Sequence, residues 1–142
     1  MDNLKSIKTY RSVTMGAVHT LLALFVFGMI ANLYVEIPEG LVSQQAWAWV
    51  FGNSAIIAIH IVLGTLLLLT AIASLIFSFK TGRTAAVVAS VAGLVFTLAA
   101  YYFGSDFVSA GGSELSSLLM AFGFLGALVS YGAGVIKTKA NR

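Results

Sequence analysis

Four long stretches of this chain contain no Asp, Glu, Lys or Arg, and they limit its fold more than any other feature. They cover residues 13–35, 54–79, 85–104 and 115–136. A helix rises about 1.5 Å per residue, so each stretch can cross a hydrocarbon layer of about 30 Å. Only 9% of the residues are charged, against about 25% in a soluble domain. The sequence therefore predicts an all-α integral membrane four-helix bundle, with a single transmembrane domain over residues 1–142.

The basic and acidic residues occupy different loops. All eight Lys and Arg residues precede the first stretch, separate the second from the third, or follow the fourth. The other two loops carry only Glu and Asp. Because cytoplasmic loops are enriched in Lys and Arg, both termini are predicted to be cytoplasmic, in the cytoplasmic (plasma) membrane. The net charge of +3 then reflects topology and contact with the lipid bilayer, and we expect no nucleic-acid partner.

The loop between the first two stretches contains signals for a short helix of its own. Pro38 and Gly40 interrupt the preceding helix, and Trp47 and Trp49 follow. Tryptophans beside a membrane span usually lie at the level of the lipid headgroups. The sequence therefore predicts an interfacial helix at about 41–51.

Small residues recur at helical spacing in the last three stretches. Lipid tails are as apolar as leucine, so close approach at small residues supplies much of the association between membrane helices. On this reasoning, the packing seams between helices are predicted at Gly64, Gly93, Gly126, Ser130 and Gly134.

Both histidines of the chain, His19 and His60, lie inside predicted spans. An ionisable side chain at membrane depth is a candidate functional residue. It can ligate haem iron, relay a proton, or form a hydrogen bond between helices. The spans contain no carboxylate, which disfavours a proton relay. Ser130 and Tyr131 lie at a depth similar to that of His19, and either is a candidate hydrogen-bond partner for it.

The depths of the two histidines restrict a haem site. Counted from the nearest basic residues, His19 lies about 12 Å and His60 about 30 Å from the cytoplasmic edge. Their side chains also point in opposite directions, because each Cβ tilts toward the N-terminus of its helix. One haem therefore cannot be held by both residues in one chain. Met29 and Met120 lie near the depth of His60 and are candidate second ligands for haem b, as is His60 of a second copy in a homodimer.

No motif of an enzyme is present. The sequence has no cysteine, no Gly-rich phosphate loop, no HExxH and no nucleophile elbow. The leading interpretation is a subunit or binding module, non-catalytic on its own, whose partners are other membrane subunits or copies of itself. The alternative is a b-type haem- or quinone-binding electron-transfer protein that uses His60 or His19. A second alternative is a small oligomeric transporter.

Overall fold

The structure is a computed structural model that describes residues 2–38 and 40–139, apart from the side chain of residue 2. The helices are α1 (Asp2–Tyr34), α2 (Ser43–Asn53), α3 (Ala55–Phe79), α4 (Thr84–Ser109) and α5 (Glu114–Lys137). The described residues contain no strand. Of these helices, α1, α3, α4 and α5 are long and apolar enough to span a membrane. The predicted all-helical fold with four helices able to span a membrane is therefore confirmed for the described residues.

Two helices extend beyond the predicted spans. α1 begins at Asp2 and so includes Lys5, Lys8 and Arg11, while α4 continues past Gly104 to Ser109. The absence of charge marks the part of a helix that suits hydrocarbon, and it gives no signal for where the helix itself ends. Lys and Arg are good helix formers, so α1 has no reason to stop at the first charge.

Local capping groups define the other helix ends. The Ser54 hydroxyl accepts a hydrogen bond from the Ile57 backbone N–H, and Ser113 does the same for Ser116. Such contacts satisfy the free donors in the first turn of a helix. In the turn between α3 and α4, Gly82 has a φ of 65°, a conformation that glycine adopts without steric cost.

The four long helices form a ring in which neighbours alternate between tight and looser contact. α1 packs closely on α3, and α4 packs closely on α5. The α3–α4 and α1–α5 contacts are less extensive, and α2 lies against α3 and α4. We call the end that contains the start of α1, the end of α5 and the α3–α4 turn the basic end, since every described Lys and Arg lies there. The opposite end carries Glu36, Asp106 and Glu114 and is called the acidic end.

Buried hydroxyl groups join three helices near the basic end. Thr14 Oγ1 lies 2.8 Å from Ser74 Oγ, which in turn lies 3.2 Å from Ser90 Oγ. The Ser90 hydroxyl donates to the Tyr10 hydroxyl at 3.4 Å, and Tyr10 donates to the Ala86 carbonyl oxygen at 3.3 Å. The side chains of this hydroxyl network are fully buried. It links α1, α3 and α4 through hydrogen bonds between their side chains and to the α4 backbone.

Three of the predicted seam residues lie at close helix contacts. A Cβ added at Gly93 would collide with the Tyr131 ring, and one added at Gly126 would collide with the Phe96 ring. At Gly134 the added atom would meet the Tyr10 hydroxyl oxygen at 2.5 Å. Glycine at these positions is therefore what allows α5 to approach its neighbours.

Candidate ligand-binding cavity

An elongated cavity of about 310 Å³ lies between the two tight helix pairs, in the half of the bundle nearer the acidic end. Its wall includes residues from 21 to 32 on α1 and from 57 to 67 on α3. At about 1.5 Å per residue, these positions span roughly 15 Å along the bundle. The wall is mainly aliphatic and aromatic, and none of the described residues that line it is charged. The cavity is therefore suited to an apolar molecule of elongated shape.

His60 is half-buried in this wall, where its ring lies against the backbone of Gly28. A Cβ added at Gly28 would lie 3.0 Å from His60 Cε1. The ring approaches the Leu24 backbone, but Nδ1 is enclosed and has no hydrogen-bond partner among the described residues. A neutral imidazole has one donor and one acceptor nitrogen. Part of the hydrogen-bonding capacity of His60 is therefore unused by the protein.

The two candidate methionine ligands line the same cavity as His60. Met29 projects from α1, and 44% of its surface is exposed. On α5, Met120 Sδ lies 3.2 Å from the position that a Cβ would take at Gly104. The structure thus brings three of the four predicted haem ligands to one cavity, although Met120 Sδ rests on α4.

His19 lies apart from this cavity and is exposed on the surface of α1. Its Nδ1 donates a hydrogen bond to the Met15 carbonyl oxygen of the same helix at 2.8 Å. The two candidate partners on α5 form hydrogen bonds with other groups. The Ser130 hydroxyl donates to the Gly126 carbonyl oxygen at 2.7 Å, and the Tyr131 hydroxyl lies 3.4 Å from Thr97 Oγ1. The depth of His19 on α1 was predictable, but the side of the helix that faces the bundle was not.

One predicted seam residue, Gly64, does not make a close helix contact. A Cβ added at Gly64 would meet no atom within 4 Å, because Gly64 faces the open space of the cavity. Ser130 is half-buried, and its hydroxyl bonds to the carbonyl of its own helix. The sequence does contain a signal that Gly64 faces the cavity. It lies four residues after His60, which places both residues on one face of α3.

The cavity wall is exposed between α1 and α5, in an opening that we call the window. Near the acidic end, the Ser117 hydroxyl donates to Asn32 Oδ1 at 3.1 Å. Toward the middle of the bundle, the rings of Phe25 and Phe124 stack with centroids 5.5 Å apart. The hydrogen bond and the ring stack mark the two ends of the window. Their residues are seven positions apart on each helix, or about 10 Å. Between them the exposed residue Ala121 lines the cavity, so a molecule in the lipid can approach it from the side.

The helix α2 covers the cavity at the acidic end. Trp47 lines the cavity, and its Nε1–H donates to Ser109 Oγ on α4 at 3.1 Å. The buried face of α2, at Ala46 and Val50, belongs to an apolar cluster shared with the ends of the other helices. The predicted helix at about 41–51 is present at Ser43–Asn53, and its location at a membrane interface stays a prediction. The contribution of Trp47 to the cavity had no signal in the sequence.

No protein-family model, curated protein or solved structure matches this chain. Its functional interpretation therefore depends on the residues around the cavity. They provide an apolar space, a lateral opening and a histidine with unused hydrogen-bonding capacity.

Proposed function

We propose that this protein is a membrane-embedded binding module that takes an apolar molecule into the cavity between its helix pairs. His60 is the main support for this proposal, because Nδ1 is enclosed without a hydrogen-bond partner among the described residues. Leaving a buried polar group unsatisfied costs about 1–3 kcal/mol, so such a group is expected to have a function. Ligand pockets are typically mainly apolar with few polar groups, and this cavity has that composition.

In this proposal the protein resides in the cytoplasmic membrane with both termini in the cytoplasm. The separation of basic and acidic ends supports that orientation, because cytoplasmic loops are rich in Lys and Arg. The cavity then lies in the half of the bilayer that faces away from the cytoplasm. Its ligand is taken from the lipid phase.

The binding module would act as a non-catalytic subunit of a larger assembly. The polar residues that line the cavity can donate or accept hydrogen bonds, but none of the described residues of the wall is a carboxylate and the chain has no thiol. Any chemistry on the ligand would accordingly be carried out by a partner subunit. Purification in a mild detergent is expected to recover that partner or a homo-oligomer. Recovery of a single monomeric chain would overturn the subunit proposal and leave ligand binding intact.

Binding is tested by filling the cavity without disturbing the packing. Gly64→Leu projects a side chain into open space, so it occupies the cavity without a backbone clash. Gly16→Leu is the matched control, since a Cβ there also meets no atom within 4 Å and Gly16 does not line the cavity. Solvent extracts of the purified proteins are compared by mass spectrometry. We expect Gly64→Leu to reduce a co-purifying apolar molecule by about tenfold or more. Identical extracts from the native protein and both variants would refute the proposal.

Haem b is the second candidate ligand. It is favoured by the placement of His60, Met29 and Met120 around one cavity, since histidine and methionine together form a known axial ligand pair. A visible spectrum of protein expressed with haem available tests it directly. A Soret band that is lost in His60→Ala but kept in His19→Ala would support haem. The absence of any Soret band would eliminate it.

A further inference from the structure

If the cavity binds a ligand as proposed above, the charges around it indicate that the ligand is neutral. The described wall carries no charge, and every described Lys and Arg lies at the basic end. The charged side chains nearest the acidic end are carboxylates, among them Asp106, whose Oδ2 accepts a hydrogen bond from Ser116 at 2.5 Å. An anion in this cavity would lose its hydration without gaining a cation. Phospholipids, fatty acids and the propionates of haem are therefore poorly matched to it.

The polar groups of the wall favour a ligand with hydrogen-bond acceptors. Asn32 Oδ1 accepts the hydrogen bond from the Ser117 hydroxyl, so the amide N–H groups of Asn32 remain able to donate. Ser105 and Tyr101, which carry hydroxyl groups, line the same cavity, and His60 has unused hydrogen-bonding capacity. These donors lie toward the acidic end, while the opposite end of the cavity is lined mainly by apolar residues such as Leu21 and Leu67. Carbonyl oxygens on the ligand would complement such an arrangement.

The remaining wall favours a flat ring. Phe25, Phe124 and Trp47 provide aromatic surface, and Met29 and Met120 provide polarizable thioethers. Aromatic and methionine side chains contact planar rings favourably, and methionine adapts to irregular gaps. The window is open to lipid beside these residues, so an attached hydrocarbon tail could remain in the bilayer.

We infer that the ligand is a neutral lipid of the quinone class, a ring with carbonyl groups on a hydrocarbon tail. It passes through the window between α1 and α5 from the leaflet at the acidic end. Asn32 donates a hydrogen bond to one ring carbonyl, and His60 donates to the other after its ring turns to bring Nδ1 out of its enclosed position. The tail extends past Ala121 into the lipid. Binding involves no covalent or redox step in this chain.

The two tryptophans provide an internal test, because Trp47 lines the cavity and Trp49 does not. Trp49→Phe leaves Trp47 as the reporter, and Trp47→Phe leaves Trp49. Each variant is placed in lipid nanodiscs and titrated with decylubiquinone, which quenches tryptophan fluorescence on contact. We expect saturable quenching of Trp47 and only weak, linear quenching of Trp49. In the Trp47 reporter, His60→Leu should raise the half-saturating concentration about tenfold, and Gly64→Leu should abolish saturation. Circular dichroism confirms that each variant is folded.

The titration separates failure of this inference from failure of the binding proposal. Dibromostearate and haem b are tested in the same way as anionic quenchers. Saturable quenching of Trp47 by either of them, but not by decylubiquinone, would contradict the inference that the ligand is neutral. It would still support the proposal that the cavity binds a ligand. Equal, linear quenching of both tryptophans by decylubiquinone would also overturn the quinone assignment.

The route through the window has its own control. Ala121→Ile narrows the window, whereas Leu118→Ile changes an exposed residue on the same helix that does not line the cavity. We expect Ala121→Ile to slow the onset of Trp47 quenching about tenfold and Leu118→Ile to leave it unchanged. Equal onset rates in both variants would overturn access through the window.

Discussion

The imidazole of His60 on α3 is in contact with the backbone of Gly28 on α1, where a Cβ would lie 3.0 Å from Cε1. This contact belongs to one of the two tight helix pairs, so it fixes the position of the ring at the cavity wall. The glycine therefore has a specific role, because any larger residue would displace the histidine from its position.

Gly28→Ala is accordingly expected to weaken ligand binding more than it weakens the fold. The new methyl group moves the His60 ring by a few tenths of an ångström, which alters its hydrogen bond to the ligand. We expect affinity for decylubiquinone to fall about tenfold, with a loss of stability below about 1 kcal/mol. Gly16→Ala is the control, since its methyl group meets no atom within 4 Å. Equal affinity in the two variants would contradict the role assigned to Gly28.

Gly93→Ala is expected to destabilise the bundle itself. The added methyl group collides with the ring of Tyr131, which is fully buried and cannot swing into open space. Overpacking of this kind typically costs about 1–3 kcal/mol. Gly132→Ala on α5 meets no atom within 4 Å and should be neutral or stabilising by up to about 1 kcal/mol. Unfolding in detergent measures both variants, and equal stabilities would show that α4 and α5 do not depend on this contact.

The comparison of Gly64 with Gly93 shows how far the sequence determines this structure. Both are glycines on an interior face of an apolar helix, and sequence spacing predicts packing for both. Gly93 contacts Tyr131, whereas Gly64 faces the cavity. The difference depends on which side chain the neighbouring helix presents, and one helix alone carries no signal for that.

The candidate site was predictable to a similar extent. Counting residues from the charged ends placed His60, Met29 and Met120 at one depth, and the structure brings them to one cavity. The side of α1 that faces the bundle was not predictable. Gly, Ala and Thr are distributed around the whole helix, so no single face is distinguished by polarity. The depth of His19 therefore indicates candidate partners on α5, although its ring bonds to the backbone of its own helix.

Ser74→Ala tests the hydroxyl network at the basic end. Ser74 Oγ joins Thr14 on α1 to Ser90 on α4, so its removal breaks hydrogen bonds to two helices at once. Hydrogen bonds between membrane helices contribute about 0.6 kcal/mol each, up to about 1.7 kcal/mol. We expect a loss of about 1–2 kcal/mol in the free energy of unfolding, while Ser12→Ala, at an exposed position on α1, has no effect. A stability equal to that of the native chain would exclude the network as a stabilising element.

Ser109→Ala tests the attachment of α2. The Ser109 hydroxyl accepts hydrogen bonds from Trp47 Nε1 and from the Ser43 hydroxyl, both at 3.1 Å. Among the described residues, its removal leaves the apolar cluster around Ala46 and Val50 to hold α2 over the cavity. We expect faster amide hydrogen exchange across residues 43–53, with no change in α5. Ser105→Ala, one turn earlier on α4, should leave exchange in α2 unaltered. Unchanged exchange in Ser109→Ala would show that the apolar cluster alone holds α2.

His60→Leu separates a binding histidine from a structural one. A histidine that joined two helices would lose its partner on substitution, and the stability of the bundle would fall. Here Nδ1 has no partner among the described residues, so leucine replaces an unsatisfied polar group with an apolar one. We expect the stability of the ligand-free protein to be unchanged or slightly higher while its affinity for ligand falls about tenfold, as at sites that are maintained for binding rather than for stability. His19→Leu is the matched control, because it removes an exposed histidine that does not line the cavity. Ligand content and unfolding are measured on the same samples. A His60→Leu protein that keeps its ligand but is destabilised would identify His60 as a packing residue.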